Sequence, residues 1–315
     1  MVSYPSERLR PLTECWRLDA PHALGGARTA VFASYDMDGE GFGIPALVHF
    51  GEYLPPDEDL SVLARNHLIP VSGGMLDPLV PLTMCPMALD GWTGRPGLEL
   101  KQAGTDQALY KRFFSKLAPK NGFASLADGK LAGLKWSVAT SADIDADDHD
   151  VSGFFSAIMH LGSGVLELSN KMRCSEDIRI VRLSAPVVSA SPEMSLIQDF
   201  GGRWCNEFQK QVADFRTGQY VRENYEGRSG HAGFPGCALL QENTDEGHGN
   251  AVGITFPSSA GHAKNCEQSP SGRRQVQFEE ASSLTTREES HTIYMAASSD
   301  GLSGLSQGMA RHARQ

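Results

Sequence analysis

The sequence predicts an α+β protein: a mainly helical body with a small antiparallel sheet, flanked by extended N- and C-terminal arms. Three observations predict it. Four segments place apolar residues at helical spacing. One segment reads as a β-hairpin. Strand and helix signals do not alternate in the regular manner of a βαβ fold.

Residues 1–27 contain Pro5, Pro11, Pro21 and the pair Gly25-Gly26, and read as an extended arm. A hairpin follows over 28–50. Val31, Ala33 and Tyr35 alternate with Phe32 and Ser34, Asp38-Gly39 supplies the turn, and 46–50 returns. Pro56 at a first helical position, with Asp57, Glu58 and Asp59 at the positive end, predicts a short helix over 57–66. Its Leu60, Leu63 and His67 share a face. Residues 69–97 are broken by Pro70, Pro78, Pro81, Pro86 and Pro96, and read as a long irregular loop of the kind that is functional or lies between subunits.

The clearest helical spacing is at 105–118, where Leu109, Phe113 and Leu117 lie four apart beside Tyr110 and Phe114. Thr105 caps this helix and Pro119 stops it. A strand is expected at 134–140. Helices follow at 150–161, with Phe154, Phe155, Ile158 and Leu161 inward, and at 164–173. Residues 178–183 read as a strand. The last helix covers 192–216, with Ile197, Phe200, Trp204, Phe208, Val212 and Phe215 as its buried stripe and Gly201-Gly202 as a kink.

These elements place the folded body at 28–226. Residues 227–315 are rich in Gly, Ser, Glu, Gln and Arg and read as a polar C-terminal extension, extended or partly disordered. Three short alternating stretches remain in it, at 252–256, 276–278 and 292–295. Each is suited to adding a strand to another surface.

The formal net charge is -10, which disfavours a protein that coats nucleic acid with its whole surface. No apolar run approaches the ~20 residues of a membrane-spanning helix, and the first residues lack the apolar core of a signal peptide. The expected location is the cytoplasm, or the host cytoplasm for a viral protein, and not a secreted one. The six cysteines stand singly and are expected as free thiols.

Two segments carry candidate chemistry. Asp143, Asp145, Asp147 and Asp148 open like a calcium loop. Position six lacks the turn glycine, however, and Phe154 stands where a bidentate glutamate belongs. A looser divalent-cation site, with His149 as a nitrogen ligand, is the metal reading. The alternative is a solvated acidic loop. Lys111, Arg112, Lys116 and Lys120 belong to a basic stretch over 101–135 that borders this acidic run. They suit a phosphate backbone, an acidic surface of a second copy, or plain solvent. Asp36, Asp38 and Glu40 surround the first turn and read as turn chemistry. His262 and Cys266, with Cys237 and either His231 or His248, form a weaker zinc constellation in which only one ligand pair is tightly spaced. Gly304-Leu-Ser-Gln-Gly308 matches a nucleophile elbow, with no strand before it and no room after it for the partner residues.

Three functions fit this reading. The first is a structural, capsid-like protein that self-associates through its arms as a homo-oligomer, a viral coat-type subunit being one example. The second is a divalent-metal-dependent, hydrolase-like enzyme built on the 143–150 carboxylates. The third is a nucleic-acid-binding protein that uses the local basic patch at 101–135.

Overall fold

The computed structural model describes residues 12–36, 39–66, 69–70, 76–77, 97–109, 111–118, 130–146, 149–190, 193–203, 206–214, 216, 219–224, 235–245, 247–257, 261–268, 274–280 and 285–314. Over these residues the chain is predominantly antiparallel β-structure with two helices, so the mainly helical body is corrected to a β-sandwich.

Strands β1 (Leu12–Ala20), β2 (Arg28–Asp36) and β3 (Ala46–Glu52) form one sheet. Helix α1 (Leu60–Asn66) follows, then the paired short strands β4 (Ile69–Pro70) and β5 (Leu76–Asp77). Next come β6 (Leu98–Gln102), β7 (Ala108–Leu109), β8 (Phe114–Leu117), β9 (Leu131–Ala139), β10 (Val151–His160), β11 (Val165–Cys174) and β12 (Ile178–Leu183). The rest of the chain gives β13 (Val188–Ala190), β14 (Met194–Arg203), β15 (Asn206–Asp214), β16 (Tyr220–Asn224) and β17 (Gly236–Gln241). It ends with β18 (Ala251–Thr255), β19 (His262–Gln268), β20 (Arg274–Glu280), β21 (Glu288–Ser298) and helix α2 (Gly301–His312).

A nine-stranded sheet runs in the order β15-β14-β17-β18-β21-β11-β10-β9-β8. Three smaller sheets, β1-β2-β3, β12-β6-β7 and β13-β20-β19-β16, share a core with it. Phe32, Ile180 and Phe278 from the small sheets join Trp136, Leu168 and Leu239 from the large one, all essentially sealed from solvent. The helices cover outer faces. Leu60, Leu63 and Ala64 of α1 close over Val31, Ala33 and Tyr35, which is why β2 is buried along its whole length. Leu305 of α2 packs over Val165, Ala238, Leu240 and Ala251 on the outer face of the large sheet.

The expected strands at 134–140, 178–183, 252–256, 276–278 and 292–295 fall within β9, β12, β18, β20 and β21, give or take a residue at the ends. The hairpin is β2–β3, and Asp59 caps α1 by accepting from the Ser61 and Val62 amides at 3.0 and 3.2 Å. The expected helices at 105–118, 150–161, 164–173 and 192–216 are strands instead. In β11, Leu166, Leu168, Asn170, Met172 and Cys174 are buried while Glu167, Ser169, Lys171 and Arg173 alternate outward, a period of two. The stretch read as a kinked helix at 192–216 folds back on itself as the hairpin β14–β15, and Gly201 lies beside the register shift of that hairpin.

Among the described residues neither expected arm stands apart from the sheets. β1 pairs with β2 from Leu12↔Asp36 to Ala20↔Arg28, and residues beyond 226 supply β17, β18 and β21 to the large sheet and β19 and β20 to a small one. Among the described residues, no helix is long and apolar enough to cross a membrane.

Candidate functional site

The loop joining β9 to β10 carries the acidic run, and it lies against the basic residues preceding and within β8. Lys116 Nζ is 2.5 Å from Asp145 Oδ2, and Lys111 Nζ is 2.8 Å from Asp150 Oδ2. Arg112 Nη1 reaches Glu40 Oε2 at 2.6 Å, with its guanidinium 4.7 Å above the Phe114 ring. The two charged segments thus neutralise one another within the chain. Asp143 takes part in the loop turn, its carbonyl accepting from the Ala146 amide at 3.3 Å. His149 Nε2 lies 3.3 Å from the Ile144 carbonyl oxygen. Asp147, Asp148 and Lys120 lie outside the described residues, as do Asp38 and His231. Among the described residues no three His, Cys, Asp or Glu side chains are arranged to hold a metal. The Lys116–Asp145 pair is well exposed on both sides. Lys116→Ala and Asp145→Ala are therefore each expected to shift stability by no more than about 1 kcal/mol in urea denaturation, as solvated pairs do.

A densely connected polar group lies inside the sandwich. Asp199 of β14 and Lys264 of β19 are 1% and 0% exposed and pair at 2.6 Å. Lys264 Nζ also donates to the Gly236 carbonyl at 2.8 Å. Asp199 accepts from its neighbour's amide, Phe200 N, at 2.7 Å and from the Tyr220 hydroxyl at 3.1 Å. Burial, followed by the charge of Asp199, pushes the Tyr220 phenol upward, so it remains a neutral donor. Cys266 sits beside Lys264 on the same inward face, and burial followed by its hydrogen bond to Cys237 drives its thiol well above the ordinary range. His262, Lys264 and Cys266 alternate inward along β19. The zinc constellation of His262, Cys266, Cys237 and either His231 or His248 leaves out Lys264, the lysine between its first two members. The period of two through His262-Ala-Lys-Asn-Cys266 was the available signal.

A cavity of about 200 Å³ lies between β3, β13 and the large sheet, lined by Leu47, His49, Phe50, Val188, Met194 and Leu239 among others. Val48, also in its lining, forms a bulge in β3, since Val31 pairs with His49 and Phe32 with Leu47. His49 Nε2 lies 3.0 Å from the Glu52 carbonyl oxygen. The lining is mainly aliphatic and aromatic.

Asp214 and Asp245 are held below the ordinary carboxylate range. Asp214 is lowered by its hydrogen bonds with Arg216, and Asp245 by the amides of Gly247 and His248. Asp199, the most buried of the paired carboxylates, is committed to Lys264 and Tyr220.

The sandwich is shared with solved carbohydrate-active enzymes. An α-galactosidase from Lactobacillus brevis superposes with a TM-score of 0.70 at 14% identity, over 96% of this chain and 42% of that one. A family 36 α-galactosidase from Geobacillus stearothermophilus, in complex with 1-deoxygalactonojirimycin, gives 0.69 at 16% identity, over 93% of this chain and 42% of that one. These likenesses define the fold as the β-domain carried by such enzymes. In sequence, residues 43–280 match the glycosyl hydrolase family 36 N-terminal domain. An α-galactosidase from Escherichia coli is 28% identical over 280 residues, 85% of this chain and 35% of that protein. The chain belongs to glycosyl hydrolase family 36, through its N-terminal domain. It spans about a third of the E. coli relative and less than half of each solved one. This membership overturns the reading as a self-associating, capsid-like structural protein, because it aligns the chain with glycoside hydrolases.

Proposed function

We propose that this chain is the β-sandwich portion of an enzyme that hydrolyses α-galactosides, and that the carboxylates breaking the glycosidic bond are supplied outside it. The match of residues 43–280 to the family's N-terminal domain carries this reading, supported by the E. coli α-galactosidase aligned over most of the chain. Glycoside hydrolysis uses two carboxyl groups flanking the bond, one of them held protonated. The geometry of this domain favours a supporting role. Asp199 is consumed by a structural ion pair, Asp145 and Asp150 are consumed by lysines, and Asp214 and Asp245 are biased toward the ionised form. What the domain offers a catalytic partner is a rigid, extensively hydrogen-bonded scaffold.

The test replaces the aligned segment of the E. coli α-galactosidase with this chain and follows p-nitrophenyl α-galactoside hydrolysis. The chimera is expected to keep kcat/KM within about tenfold of the parent, a change below ~1.4 kcal/mol in transition-state stabilisation. This chain alone is expected to release no nitrophenol. A folded but inactive chimera overturns the proposal. Hydrolysis by the isolated chain overturns the division of labour.

A further inference from the structure

We propose that the last turn of α2 is held to the large sheet by a pH-sensitive latch made of His312, His160, Glu167 and Tyr294, which opens when both imidazoles carry protons. The helix is fixed differently at its two ends. At the start, the Gly301 amide donates to the Gly249 carbonyl at 3.0 Å, the Leu302 amide donates to the Asp245 carbonyl at 3.2 Å, and Leu305 is buried against Gly253. At the end the contacts are aromatic and titratable. The His312 and His160 rings meet edge to face with centroids 4.4 Å apart, and the Tyr294 ring lies 5.5 Å from His312. Ser163 Oγ accepts from the Val165 amide at 3.4 Å and lies 3.4 Å from His312 Nδ1, which leaves its own proton to be donated to an unprotonated ring nitrogen.

The charge balance is uneven. His160 Nε2 faces Glu167 Oε2 at 3.2 Å, so one proton in the cluster is matched by one carboxylate. A second proton, on His312, has no second carboxylate to meet among the described residues. The titratable groups facing His312 are His160 from β10, Glu167 from β11 and Tyr294 from β21, while β18 offers none. The helix itself adds Arg311, which makes the last turn more positive. Burial first, then the His160 charge, lowers His312 below the ordinary 6.5, and Glu167 offsets only part of this. The C-terminal end of the helix dipole favours a cation and opposes the same trend. The net lowering sets the direction: docking of the last turn is complete above pH 6.5 and weakens as the pH falls through the lowered value.

Hydrogen exchange of the full chain, read by mass spectrometry at pH 7.5 and 5.0 and corrected for intrinsic exchange, tests this. Protection over 307–314 is expected to drop about tenfold at the lower pH, the direction following from the cost of the second proton in the docked state. Protection over 299–306 is expected to hold. His312→Gln removes the second proton, and His160→Gln removes the like-charged neighbour. Each is expected to reduce the drop to less than about twofold, and the milder His160→Gln serves if the other variant fails to fold. Equal protection of 307–314 at both pH values in the native chain overturns the latch. An undiminished drop in either folded variant, or equal loss over 299–306, does so too.

Discussion

Lys264→Met is expected to destabilise the protein by about 3–5 kcal/mol in guanidinium denaturation, among the largest effects for a substitution that preserves side-chain volume. Methionine can follow the path of the lysine stem, so packing changes little. What changes is Asp199, which is 1% exposed and loses its cationic partner at 2.6 Å. Among the described residues it keeps the Phe200 amide and the Tyr220 hydroxyl as donors to its oxygens. The Gly236 carbonyl loses its Lys264 donor in the same step. A buried carboxylate left without a counter-charge is far costlier than a missing pair, because removing both charges also removes the desolvation penalty of each. The double variant Lys264→Met with Asp199→Leu is therefore expected to recover a good part of the loss. The cycle should show a coupling of about 2–3 kcal/mol between the two sites. A single Lys264→Met variant within about 1 kcal/mol of the native chain would mean that the pair adds nothing to the sandwich.

This pair also shows what the sequence hid. Strand stretches that alternate over a few residues, such as Val252-Gly-Ile-Thr-Phe256 and Thr292-Ile-Tyr-Met295, were legible as strands from their period. The longer strands were not. β10 reads Val-Ser-Gly-Phe-Phe-Ser-Ala-Ile-Met-His, in which apolar residues occupy both faces because the inner face meets the core while neighbouring side chains cover part of the outer one. Such a run satisfies helical spacing as readily as a period of two. β11 alternates cleanly, but its Leu, Glu, Lys and Met are good helix formers, and pairing with β10 and β21 overrides that preference. The polar composition beyond residue 226 misled for a related reason. β17, β18 and β21 need few large side chains because they complete a core built mostly by others. The amphipathic helix α2 was missed because five of its first eight residues are glycine or serine, with Gly304 and Gly308 among them. The charged segments were legible as charged, but whether they faced solvent, a partner or each other depended on the sheet order that sets β8 beside β9. The buried lysine offered only its place in an alternating strand.

Gly153→Ala is the backbone counterpart of the lysine experiment. Gly153 stands within β10, opposite Met172 of β11 and Val138 of β9. A β-carbon there would run into the Lys171 carbonyl oxygen and come within 2.7 Å of the Met172 sulfur. The sulfur ends a flexible side chain and can move. The carbonyl cannot, because Lys171 is fixed by pairing with Phe154 on one side and Ser290 on the other. Relief must come from parting β10 and β11 in the interior of the nine-stranded sheet. The expected loss is about 3 kcal/mol or more, at or beyond the upper end of ordinary overpacking, with Gly153→Val worse again. Gly308→Ala supplies the contrast. It lies in α2 with nothing within 4 Å of the added carbon, and the change is expected to stabilise by about 0.5–1 kcal/mol through helix propensity. The same chemical substitution thus takes opposite signs at two positions, and the sign follows from whether the added carbon meets backbone or open space. Equal and mild effects at both positions, measured by urea denaturation, would contradict the register that sets Gly153 against Met172, and with it the β10–β11 pairing that joins β8, β9 and β10 to the other six strands of the large sheet.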